Sequence, residues 1–211
     1  AVAAMLSEGI RPVMVGGDHL CTLAVLRALK EHRREAFGLI LLDSHTDLYP
    51  PYFGGKTLTH GNPFRQAIEE GCLDPRRVAM AGMRGTSYNK EDIDYGREKG
   101  VHIVEIEDCM ARGWTSVMAE ACRVADEGPV YVSFDIDFID PAYAPGTGTP
   151  EVGGPTSFEA LQCVRSLRGL DIIGSDLVEV SPPFDPAGIT AIAGAHVAME
   201  LLCLWSWTRR G

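Results

Sequence analysis

Three short stretches of this chain concentrate side chains that bind divalent cations: Gly16-Gly17-Asp18-His19, Asp43-Ser44-His45-Thr46-Asp47 and Asp135-Ile136-Asp137. The second packs three donors into five residues. In an extended segment alternate side chains share a side. Asp43, His45 and Asp47 are therefore expected to face one point, and Asp135 and Asp137 to do the same from a second strand end. Burying such carboxylates unpaired costs several kcal/mol each as an order of magnitude, and a bound cation removes that cost. The glycine pair before His19 lets the backbone turn sharply and come close to a ligand. The expected metal ligands are His19, Asp43, His45, Asp47, Asp135 and Asp137. This oxygen-rich set suits two Mn²⁺, with Co²⁺ or Ni²⁺ possible by substitution. A structural zinc site would favour cysteine and histidine instead. Two ions roughly 3.5–4 Å apart share carboxylates and acidify water to near neutrality, which is hydrolytic chemistry.

The elements that must position these residues follow from apolar periodicity. Strands are expected at Arg11–Val15, Phe37–Leu42, Arg77–Ala81, Val101–Glu105, Val130–Phe134 and Asp171–Val178. Phe37–Leu42 is a continuous apolar run, as in a strand buried on both faces. Helices are expected at Ala1–Glu8, Leu20–Arg34, Pro63–Glu70, Glu91–Lys99, Cys109–Asp126, Ser157–Leu167 and Thr190–Trp207. Strands alternating with helices predict one domain over residues 1–211. Its class is α/β, a three-layer α/β/α arrangement with a central, mostly parallel sheet. The polar clusters fall just after strands, where open parallel sheets bind ligands. Asp140 reads equally as a helix N-cap or a direct participant.

Composition narrows the function class. The chain has 211 residues, 45% hydrophobic and 23% charged, which is globular composition. A formal net charge of −10 disfavours nucleic acid as a partner. No apolar run approaches the ~20 residues of a membrane helix, and no signal-peptide pattern is present. The six cysteines, at 21, 72, 109, 122, 163 and 203, form no C-x-x-C pair. They read as reduced structural thiols, which points to the cytosol.

The chain resembles the arginase/agmatinase (ureohydrolase) family through GGDH at 16–19, DSHTD at 43–47 and SFDIDFIDPAYAPGTGTPEVGG at 133–154, in that order and spacing. The resemblance implies an arginase-like fold, two manganese ions on the six ligands above, and assembly as trimers or hexamers. It implies that Asp47 and Asp135 bridge the ions. It also implies that His60, in Thr-His-Gly-Asn-Pro, shuttles a proton or helps hold substrate. Glu179, in Val-Glu-Val-Ser-Pro-Pro, is then the carboxylate that pairs with a guanidinium. The implied reaction is hydrolysis of a small guanidino compound to urea and an amine. The surrounds of His60 and Glu179 look most like agmatinase, with guanidinobutyrase and guanidinopropionase next. Leu20 and Ser44 depart from residues common in the family, beside ligands. The family also carries a further segment before GGDH, so the sequence reads as lacking an N-terminal part.

Three rivals stand beside this reading. Formiminoglutamase chemistry shares the metal motifs. A metal-loaded subunit without catalysis has no need of His60 and Glu179. Phosphoester hydrolysis also uses paired ions, but no phosphate-cradling loop is present. Arg84 is assigned to a substrate carboxylate, to a subunit ion pair or to solvent.

Overall fold

A computed structural model describes residues 1–52, 54–86 and 90–206. Six strands form one sheet: β1 (Val13–Val15), β2 (Phe37–Leu42), β3 (Leu73–Met83), β4 (His102–Glu105), β5 (Val130–Asp135) and β6 (Ile172–Val178). Their order is β1-β6-β5-β2-β3-β4, and every pairing is parallel. From β2 the chain proceeds outward to β3 and β4, whereas from β5 it proceeds the other way to β6. The crevice for a ligand therefore lies at the carboxyl ends of β2 and β5.

Both faces of the sheet are covered, which explains why β2 and β5 are buried at every position. On one face, Leu39, Leu41, Met80 and Tyr131 pack under α2 (Leu20–Arg33), α3 (Pro63–Glu69) and α4 (Glu91–Lys99), with α1 (Val2–Ser7) against α2. On the other, Ile40, Leu42, Val132 and Phe134 pack under α5 (Ile106–Arg112), α6 (Trp114–Ala125), α7 (Ser157–Ser166) and α8 (Ile189–Trp205). The three-layer expectation is met.

Two differences from the sequence reading have local causes. The single helix expected over Cys109–Asp126 is two helices, α5 and α6. Gly113 between them sits at φ 78°, in a conformation that glycine adopts at no steric cost. Strand β3 is longer than expected at both ends: Gly82 and Met83 extend it past Ala81, and Leu73 pairs with Phe37 across an irregularity before the next pair, Leu39–Val78. The Thr190–Trp207 expectation runs past the described residues; α8 is described to Trp205. Among the described residues, no helix is long and apolar enough to cross a membrane.

Candidate metal centre

Asp43 follows β2 directly, and Asp135 ends β5. The register that pairs Leu42 with Phe134 brings the two aspartates side by side. Each then makes the same local turn. One oxygen of Asp43 accepts the His45 N–H at 2.7 Å, and one oxygen of Asp135 accepts the Asp137 N–H at 2.8 Å. The second oxygen of each points toward the Nδ1 of His19, at 3.2 Å and 3.1 Å. The i, i+2 spacing of these ligands therefore comes from side-chain-to-backbone turns. It does not come from extended alternation as the sequence suggested. Residues 43–45 are bends, Ile136–Phe138 is a 3-10 turn, and Asp47 has φ 51°.

The remaining donors arrive from two directions. Gly16 and Gly17, at φ 105° and 75°, reverse the chain after β1 and deliver His19 to the start of α2. Asp47 approaches His19 Nδ1 at 3.0 Å. Asp137 lies 3.1 Å from His45 Nδ1 and accepts the Ser44 backbone N–H at 3.1 Å and its hydroxyl at 2.7 Å. Two sets of ligand atoms form, His19–Asp43–Asp135 and Asp43–His45–Asp137, each with its atoms within 4.8 Å of one another. Asp43 is the residue common to both sets. Asp47, which the resemblance implied as a bridge with Asp135, is in neither set and lies 3.0 Å from His19 Nδ1.

A pair of cations fits this donor set on two independent grounds. His19 Nδ1 and Asp43 Oδ2 are both buried and both lack a hydrogen-bond partner, although they lie close together. Buried polar atoms without partners are rare in native interiors. The charges also cannot balance by themselves. Burial, together with the like charges of Asp137 and Asp43, raises the Asp135 carboxyl well above its ordinary value. Burial disfavours a charge on His45, yet Asp137 and Asp43 override it and push the imidazole up to about 12. Burial likewise opposes a charge on His19, and Asp47, Asp135 and Asp43 likewise win, raising it. Both shifts call for positive charge between these side chains, which divalent cations would supply.

His60 and Glu179 share one cavity of about 410 Å³ with His45, Asp47 and Asp135. Glu179 follows β6 with φ 64°, an uncommon conformation for a side chain of this kind. One of its oxygens accepts the His19 N–H at 2.7 Å. Burial raises its carboxyl, and that hydrogen bond offsets part of the shift. His60 Nε2 lies 3.3 Å from the Tyr52 hydroxyl oxygen on the cavity wall.

Two sequence expectations are corrected. Arg84 donates to the backbone carbonyls of Gly82, Asp137 and Glu151, at 2.8–3.2 Å, so its guanidinium ties two loops together behind the centre. Asp140 starts no helix; it accepts backbone N–H groups from Ala142, Gly153 and Gly154 and so shapes the loop after β5. One group was not anticipated at all. His19 Nε2 lies 2.9 Å from the Ser133 hydroxyl, which donates to the buried Asp176 at 2.7 Å. The signal was present: a lone aspartate inside the apolar strand Ile-Ile-Gly-Ser-Asp-Leu-Val.

Comparison with known proteins agrees with this geometry. A profile of the arginase family matches residues 1–203. The guanidinopropionase of Pseudomonas aeruginosa is 53% identical over 198 residues, covering 94% of this chain and 62% of that protein. The guanidinobutyrase of the same organism is 46% identical, covering 95% and 62%. The solved structure of proclavaminate amidino hydrolase from Streptomyces clavuligerus superposes with a TM-score of 0.92 at 36% identity, covering 99% of this chain and 68% of that one. The chain thus spans about three-fifths of the length of the curated relatives it matches.

Proposed function

The chain belongs to the arginase family, and on that premise we propose that it is a dinuclear-metal hydrolase that splits a guanidino compound into urea and an amine. One observation carries the reading: two ligand sets sharing Asp43 open onto the same cavity as Glu179 and His60. We assign His19, Asp43, His45, Asp47, Asp135 and Asp137 as ligands to two Mn²⁺ ions, which prefer oxygen and imidazole donors. When bound, the ion pair supplies Lewis acidity and acidified water.

The chain's own residues supply the rest. A guanidinium is planar and cationic, and a carboxylate holds it through charge-assisted hydrogen bonds. Glu179 uses one oxygen on the His19 N–H, which fixes the side chain and leaves Oε2 for substrate. A guanidinium held there shares the cavity with Asp47 and Asp135, the carboxylates that line it beside Glu179. His60, on the same wall, holds and delivers the proton that the departing amine requires. The wall formed by Tyr49, Pro50 and Tyr52 excludes water from the alkyl part of the substrate.

For the substrate we place a guanidino acid, such as 3-guanidinopropionate or 4-guanidinobutyrate, ahead of the agmatine that the sequence suggested. The two relatives above are named for those acids. Among the described lining residues, every carboxylate (Asp47, Asp135 and Glu179) lies at the metal or guanidinium end. A second cationic end finds hydroxyls of Tyr49, Tyr52 and Thr86 instead, and these suit a carboxylate tail. Self-association and a reducing compartment belong to the same proposal. Ile189, Ile192, Met199 and Leu202 leave α8 with a half-exposed apolar stripe, and all six cysteines are free.

The test is product analysis with Mn²⁺-loaded protein on 3-guanidinopropionate, 4-guanidinobutyrate, agmatine, arginine and formiminoglutamate. Urea is expected, fastest from a guanidino acid. Formamide from formiminoglutamate would move the chain to the rival branch. Two bound ions with no turnover of any substrate would leave a metal-loaded scaffold.

A further inference from the structure

We propose that Asp176 is a positioning residue for the metal centre: acting through Ser133, it fixes which nitrogen of His19 faces the ions. The proposal rests on the metal-centre reading above. It starts from a carboxylate that is out of place. Asp176 sits inside β6, between β1 and β5, with no exposed surface, and its hydrogen-bond partners include no member of the ligand set. Burying a lone carboxylate costs several kcal/mol, of order, unless hydrogen bonds compensate. Three do. Thr22 of α2 donates to Oδ2 at 2.7 Å, Tyr131 of β5 donates to Oδ2 at 2.8 Å, and Ser133 of β5 donates to Oδ1 at 2.7 Å.

Only the third leads onward. A serine hydroxyl has one hydrogen. Because Ser133 gives it to Asp176, Ser133 presents lone pairs to His19 Nε2, 2.9 Å away. Nε2 must then carry the proton. A neutral imidazole protonated at Nε2 has its lone pair on Nδ1. Nδ1 is the atom that faces Asp43, Asp47 and Asp135 at 3.0–3.2 Å. An anion at position 176 can only accept, so the hydrogens of the chain all point one way. An amide in its place is able to donate to Ser133, letting the serine hydrogen turn toward Nε2 and moving the imidazole proton onto Nδ1, where it blocks a cation.

The other histidine supplies an internal control. His45 Nε2 lies 3.8 Å from Glu151, beyond hydrogen-bond range, and the serine-to-aspartate contact that His45 does make, through Ser44 to Asp137, meets Nδ1 on the donor side and not Nε2. A change at Asp176 should therefore fall on one ion and spare the other. Partners that orient metal-bound histidines typically change affinity about 10- to 100-fold when removed.

The experiment is calorimetric titration of the metal-free protein with Mn²⁺. Wild type binding fewer than two ions per chain would defeat the metal-centre reading itself, whatever the variants do. Given two, Asp176→Asn is expected to weaken one ion about 10- to 100-fold and leave the other unchanged. Ser133→Ala should reproduce that selective loss, and the double variant should add little to either. Tyr131→Phe removes a donor to the same carboxylate off the path to His19. It should lower the melting temperature while leaving both affinities within about threefold. If Asp176→Asn does not fold, the contrast between Ser133→Ala and Tyr131→Phe decides alone. Equal weakening of both ions, weakening by Tyr131→Phe as large as by Ser133→Ala, or no weakening would overturn the proposal.

Discussion

The two halves of the candidate metal centre present the same kind of donor on opposite kinds of support. His19 is 1% exposed and is backed by residues of strands β5 and β6 through Ser133 and Asp176. His45 is 15% exposed and is backed by loops. Ser44 and Thr149 hold its neighbour Asp137, and Arg84 clamps the carbonyls of Asp137 and Glu151. His45 also borders two cavities, the one that contains Glu179 and a second behind it. The contrast teaches a division of labour. The sheet holds one histidine still, because strand positions are fixed by packing on both faces. The loops leave the other where a substrate can approach.

The largest effect belongs to the residue that the halves share. Asp43→Ala should remove both ions and reduce urea release to background, with metal content read by elemental analysis. One ion retained would show that the halves are independent. Next, Glu179→Gln should keep two ions yet cost about a hundredfold or more in kcat/KM, because the substrate charge then lacks its partner. Loss of metal in that variant would make Glu179 part of the His19 support instead.

Acidity sharpens the contrast further. In the metal-free protein His45 is raised from 6.5 to about 12. The stability it adds to the metal-free fold is complete below about 6.5 and is lost as pH climbs through about 12. A cation must expel that proton, so apparent affinity should rise with pH, by at most about tenfold per unit for each proton displaced. Calorimetry in buffers with different ionisation heats would show it as proton release; zero release would place both histidines neutral before binding. A smaller effect follows from Gly85, where an added Cβ runs into the His45 ring. Gly85→Ala should weaken the ion that Asp176→Asn spares, by about tenfold, and an effect on the same ion would collapse the distinction. Smallest of all, Arg84→Met leaves backbone carbonyls unpaired and should cost roughly 1–3 kcal/mol of stability, seen in urea unfolding, with Mn²⁺ affinity nearly intact.

Much of the fold was readable because strand and helix periods are local. Phe37–Leu42 announces a two-face-buried strand by its unbroken apolar run, and Leu20–Arg33 announces a helix by its spacing. The donors too were legible, since three clusters each follow a strand, and all six are brought together. What failed was geometry decided across the sheet. Side-chain-to-backbone turns at Asp43 and Asp135 replace the extended alternation, and cross-strand register sets Asp43 beside Asp135. Arg84 was left between substrate, subunit and solvent because the carbonyls it binds come from loops 53 and 67 residues further along the chain. Asp176 went unremarked because its partners, Thr22, Tyr131 and Ser133, lie on two other elements.

Asp47 and Glu179 both occupy left-handed backbone, at φ 51° and 64°. For residues other than glycine such conformations cost on the order of 1–3 kcal/mol each. A thermostability screen blind to chemistry would select glycine at both positions, since glycine relieves that cost. The winners would melt later, yet they would have lost the proposed ligand Asp47 and the carboxylate proposed to hold the guanidinium. Of the three such positions among the described residues, only Arg34, at the end of α2, offers that gain without touching the proposed site.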